Sequence, residues 1–208
     1  YGTIERGTWN AKVYNYNSER GIPGAIVNNV WRRGERVWDT NSFFQGSFVK
    51  EVNDQFKTQV NAKYAFYRTH YVNNDDKLIE VDNLYKQREV YVSTANMYTI
   101  FPFWDVSMSY DFQWNEMKAD MYGFVFPTRF TNLLSIATAL RLGKVKLQGS
   151  GLATFVNDRV KEGPAPKARQ ILTPAVFLSY KPFDKHDFSL RAFYKKTFRM
   201  PTFNDLYY

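Results

Sequence analysis

Apolar and polar residues alternate with a period of two along most of this chain, and helical periodicity is nearly absent. The strongest stretch sets Trp104, Val106, Met108, Tyr110, Phe112 and Trp114 on one face, against Asp105, Ser107, Ser109, Asp111, Gln113 and Asn115 on the other. Phe56, Thr58, Val60, Ala62, Tyr64 and Phe66 alternate in the same way with Lys57, Gln59, Asn61 and Lys63. Read in order, the pattern predicts strands near 8–16, 38–52, 56–66, 88–98, 104–115, 129–142, 145–156, 171–180 and 188–196. The strands near 38–52 and 88–98 alternate poorly and are placed by context. Gly143-Lys144 reads as a two-residue hairpin in which glycine supplies the positive φ.

The connections between these strands alternate in length. Long polar segments fall at 17–37, 73–85, 118–128 and 157–169, and short turns at 53–55, 100–103, 143–144 and 181–184. All the long loops therefore gather at one end of the sheet, an asymmetry shared with outer-membrane barrels. The strands run well past the five or six residues usual in small soluble sheets. Trp104 and Trp114 close the apolar face of their strand at both limits. Their separation is about 33 Å along a strand and about 25 Å in height at ~40° tilt, which fits aromatic girdles at two membrane interfaces. A soluble antiparallel sheet with a buried apolar side shows the same alternation, so patterning alone leaves both readings open.

Composition adds limits. No cysteine occurs among the 208 residues, so there is no disulfide framework and no thiolate metal site. Tyr, Phe and Trp make up 18% of the chain, enough to furnish girdles. No apolar run is long enough for a membrane helix, which leaves spanning strands untouched. The net charge of +8 permits a nucleic-acid partner, but the basic residues are scattered and form no recognition motif. Nucleic acid is not expected.

The segment Phe198-Arg199-Met200-Pro201-Thr202-Phe203-Asn204-Asp205-Leu206-Tyr207-Tyr208 resembles a signature found within the barrel of TonB-dependent outer-membrane receptors. Phe198, Arg199, Pro201, Asn204, Asp205, Leu206 and Tyr207 match it by position, while Met200 stands where the family often has a small residue. Glu19-Arg20-Gly21-Ile22-Pro23-Gly24, read as a loop, is similar to members from Bacteroidetes-type bacteria. The resemblance implies an all-β chain: a transmembrane antiparallel β-barrel, with these nine strands part of about 22. Residues 1–208 would all belong to one barrel domain, with the plug domain and C-terminal strands not present. The implied function is energy-coupled import of a scarce nutrient of the ferric siderophore, haem or cobalamin class, at the outer membrane of a Gram-negative bacterium. The implied partners are outer-membrane lipid, the small nutrient ligand and a TonB-type energy-coupling protein acting through the plug. A surface lipoprotein is left open as a further partner.

Candidate residues follow. Trp31, Arg32, Arg33 and Arg36 form the densest loop cluster able to grip a ligand, through flat apolar area and forked donors. A basic loop against anionic lipopolysaccharide is an equal reading. Arg199 is expected to pair within the barrel wall rather than to touch ligand. His70 at a loop start and His186 in a turn read as solvated, and Asp105 and Asp111 as facing a wet lumen. No catalytic constellation, metal site or cofactor is expected. The alternatives are a passive porin-like barrel and a soluble β-sandwich or lipocalin-like binder.

Overall fold

The computed structural model describes residues 2–4, 7–22, 35–73, 80–183 and 186–207. The strands are β1 (Gly2–Ile4), β2 (Gly7–Ile22), β3 (Glu35–Glu51), β4 (Phe56–Asn73), β5 (Val81–Phe101), β6 (Trp104–Ala119), β7 (Thr128–Leu142), β8 (Val145–Arg159), β9 (Arg169–Tyr180) and β10 (Leu190–Lys195). They form one antiparallel sheet in strict sequence order, so every strand neighbours the next in the chain. β1 and β10 are its two edges, and the sheet is not closed. A single helical turn, α1 (Phe203–Tyr207), follows.

The all-β reading is correct, with two corrections. The described residues hold ten strands rather than nine, because the short β1 precedes the first expected one. The strands also run further toward the long loops than alternation indicated. Residues 17–22 and 35–37, read as loop, belong to β2 and β3, where 20–22 pair with 35–37 and 17–19 pair with 38–40. Polar side chains there also meet across the ladder, as where Arg20 meets Asp39 at 2.8 Å, so the strands continue where apolar alternation lapses.

The turns follow local chemistry. Asn53 Oδ1 accepts hydrogen bonds from the amides of Gln55 (3.0 Å) and Phe56 (2.8 Å), closing the turn between β3 and β4. Gly143 adopts φ +56° between β7 and β8, as a two-residue hairpin demands.

Register defines two unlike faces. One carries Val13, Phe44, Tyr64, Val92, Met108, Ile136, Phe155, Leu172 and Val176, an apolar band from β2 to β9. The other carries Lys12, Gln45, Lys63, Tyr91, Gln113, Thr131, Thr154 and Arg191. Burial runs opposite to a soluble sheet. Every buried strand residue, from Val37 and Ala65 to Ser93, Asn115, Thr131, Thr154 and Val156, is on the polar face. The apolar band is open, with Val13 77% exposed and Ile136 53%.

Total accessible surface makes the same point. A compact monomer of this mass exposes about 10,000 Å², whereas this chain exposes 14680 Å². The excess is what one uncovered sheet layer would add.

Gly143→Val should cost roughly 1–2 kcal/mol, the penalty of a left-handed β-branched residue. Urea unfolding of wild type and variant by far-ultraviolet dichroism measures it, and an unchanged midpoint would disprove the turn assignment.

Candidate functional site

Beyond β10 the chain turns back onto the long-loop end of the sheet. Thr202 and Asp205 cap α1 reciprocally. The Thr202 amide donates to Asp205 Oδ2 (2.7 Å), and the Asp205 amide to Thr202 Oγ1 (3.2 Å). This is a capping box with Asp in the third position, where the carboxylate also meets the positive end of the turn.

Arg129, near the start of β7, holds this turn down. Its Nε and Nη2 each donate to Asp158 of β8, both at 2.7 Å, in a bidentate fork. Its Nη1 donates to the Pro201 carbonyl at 2.6 Å. Its guanidinium lies 4.9 Å from the ring centre of Phe203, one of the few buried apolar side chains described. Arg129 and Asp158 are themselves almost fully buried, with side chains 7% and 4% exposed. One arginine thus joins two strands and the returning segment on the polar face.

The signature residues divide accordingly. Pro201 lends its carbonyl, Leu206 lines a small recess with Val156 and Pro166, and Asp205 caps. Arg199 is 84% exposed, and its nearest acid is Asp205 of the same segment, at 3.7 Å. It does not pair with the sheet wall as the sequence suggested. The wall arginine is Arg129, which sequence reasoning passed over. Phe198 is exposed, and the side chains of Asn204 and Tyr207 lie outside those described.

Of the predicted loop cluster, Trp31, Arg32 and Arg33 lie outside the described residues. Arg36 belongs to β3, opposite Gly21, with its Nη1 3.7 Å from Glu19. His70 is not a lone solvated histidine. It lies in β4 with Nε2 2.6 Å from Asp82 and its ring 5.3 Å from that of Trp38. Trp104 and Trp114 both stand on the apolar face, ten residues apart on β6. The Trp104 indole N–H donates to Thr138 Oγ1 at 2.8 Å.

The polar face carries cross-strand networks. Lys63 meets Glu89 at 3.0 Å, the Tyr91 hydroxyl donates to Asp111 at 3.2 Å, and Asp105 accepts from Thr99 (2.8 Å) and Arg141 (2.6 Å). Asp105 and Asp111 therefore have partners. An open groove of about 570 Å³ lies over β5–β10 on this face, its floor set by the small residues Ser107, Ala137, Ala139, Ser150 and Ala175. Met97, Phe177 and Phe193 add apolar wall, and Asp105, Gln148 and Lys195 add polar groups. Such a lining is apolar with a few polar groups at its edges. Among the described residues no three His, Asp or Glu side chains converge to hold a metal ion. No protein-family model matches the chain, and no curated protein matches it in sequence.

Two outcomes follow for the tail. Removing one partner of the buried pair, by Arg129→Ala or Asp158→Ala, strands the other charge and should cost about 3–5 kcal/mol. Limited proteolysis after Arg199 should accelerate in both variants, and unchanged cleavage would refute the anchoring role. Hydrogen bonds from Thr202, and then the nearby Arg199, hold the Asp205 carboxyl below the usual carboxylate range. A depressed folded pKa stabilises above the unfolded value and is lost as pH falls through the folded one. Tail protection from hydrogen exchange should thus be complete at neutral pH, fall below about pH 4, and lose that acid dependence in Asp205→Asn.

Proposed function

We propose that this chain is barrel wall of a TonB-dependent outer-membrane receptor that imports a scarce nutrient. The observation that carries the membrane part is the burial reversal. The apolar face is open across β2–β9, and the polar face is the crowded one. Water disfavours that arrangement, whereas hydrocarbon outside and a wet lumen inside favour it. The soluble sandwich needs a second layer on the apolar face, and none of the described residues supplies one. The receptor part rests on the signature residues, and the inward fold of that segment gives them a physical role. Arg129 holds Pro201 and Phe203 of that segment against the long-loop side.

In this reading the long loops and the polar face meet the nutrient, and the energy-coupling partner acts through a plug. No bond is made or broken by this chain. A ferric siderophore, haem and cobalamin are all compatible with an amphipathic lumen. A passive porin is the second reading, favoured by the same burial reversal.

Because the chain has no cysteine, single introduced thiols report topology cleanly. Glu162→Cys, between β8 and β9, should react with an impermeant maleimide on intact cells. Lys144→Cys, in the turn between β7 and β8, should react only after the envelope is opened. Equal labelling of both would end the barrel reading. The coding DNA on either side separates receptor from porin. A compact upstream domain with an energy-coupling motif is expected, and upstream strands alone would favour the porin.

A further inference from the structure

On the apolar face the band ends toward the long loops at one rung, Tyr64, Val90, Trp114 and Phe130, directly opposed across β4–β7. The next rung of that face is Phe66, Arg88 and Glu116, and the one beyond is Arg68, Lys86 and Lys118. Three cations thus stand side by side on neighbouring strands, with Arg88 just below the central one. Opposed residues in such a ladder have Cα atoms about 5 Å apart, inside a Debye length of ~8 Å, so their repulsion is poorly screened. Like charges directly opposite destabilise a sheet.

The described carboxylates nearby relieve this only in part. Glu116 meets Lys118 at 3.3 Å, Asp82 is engaged by His70, Glu19, which shares a recess with Arg68, lies 3.7 Å from Arg36, and Asp120 Oδ1 accepts from the Leu84 amide at 2.6 Å. Arg68, Lys86 and Arg88 are exposed and have no ion-pair partner among the described residues.

We propose that Arg68, Lys86, Arg88 and Lys118 form a binding site for the phosphate of an anionic lipid headgroup. The inference rests on the membrane reading above. Height argues for lipid: the cations lie one and two rungs beyond an aromatic rung that marks the hydrocarbon limit, where headgroup phosphates sit. So does side, because they project from the face that carries the apolar band rather than toward the groove. Two guanidinium forks and two ammonium groups around one carboxylate leave a surplus positive charge that a phosphate neutralises. The long aliphatic stems can lie along the band while their heads reach the phosphate.

The test places the chain in vesicles of phosphatidylcholine alone, or with a minor fraction of phosphatidic acid, and counts co-extracted lipid by native mass spectrometry. Phosphatidic acid should be retained preferentially, and Arg68→Gln/Lys86→Gln/Arg88→Gln should cut that enrichment roughly tenfold or more. Lys50→Gln, on the same face at the opposite end, should leave it unchanged. If the triple variant does not insert, the single Lys86→Gln, central in the row, carries the comparison. Undiminished enrichment in the variants would overturn the site. Displacement by equimolar inorganic phosphate would make it a free-anion site and overturn the lipid assignment. Quenching of tryptophan by brominated phosphatidylcholine separates the two readings. Without quenching the membrane reading fails and takes this site with it, whereas quenching without enrichment sinks the lipid site alone.

Discussion

The structure depends on where water is excluded. A sheet one layer thick has two faces, and at roughly 25 cal/mol per Å² an uncovered apolar face is a large standing cost in water. In a soluble domain a second layer removes it. Here the described residues supply no second layer on the apolar face, and the side chains that do crowd together are on the opposite, polar face. The apolar band, the long strands and the uneven loops all follow if the excluded phase lies outside the sheet and the aqueous one inside.

That constraint explains the economy of the core. The buried apolar residues described are few: Val37, Ala65, Ala119, Phe124, Val156 and Phe203. They gather toward the long-loop end, where the β6–β7 loop and the returning tail add a second layer locally. Phe124 packs edge-on against Phe126 at 5.3 Å, and Phe203 lies under Arg129. Elsewhere the ladder and its cross-strand pairs hold the sheet, as with Lys63–Glu89 and Tyr91–Asp111.

The buried Arg129–Asp158 pair is suited to its place. Burying two charges is expensive unless their remaining donors are satisfied. Arg129 goes toward that condition by giving a third donor to the Pro201 carbonyl and its flat face to Phe203. The tail thereby completes the charge pair, and the charge pair fixes the tail. Arg199 is left at the surface, 3.7 Å from Asp205 of its own segment.

Period-two alternation by itself determined that this chain is a sheet, where its best strands lie, and that its long connections share one end. Those are local properties, set by which side chains suit a pleated two-faced surface and by residues such as Gly143 and Asn53 that close tight turns. The strand ends at 17–22 and 35–37 were not legible, because polar and apolar residues there do not alternate and are held by pairing across strands. Arg129 and Asp158 were legible in principle, since equal steps outward from Gly143-Lys144 bring them opposite one another. What no local pattern carries is that a segment some seventy residues further on would supply the third partner. Likewise, Arg68, Lys86 and Lys118 are isolated charges in sequence and become a row only through register. Which face lies open was a tertiary decision as well. Alternation defines two faces and says nothing of which one the rest of the molecule crowds.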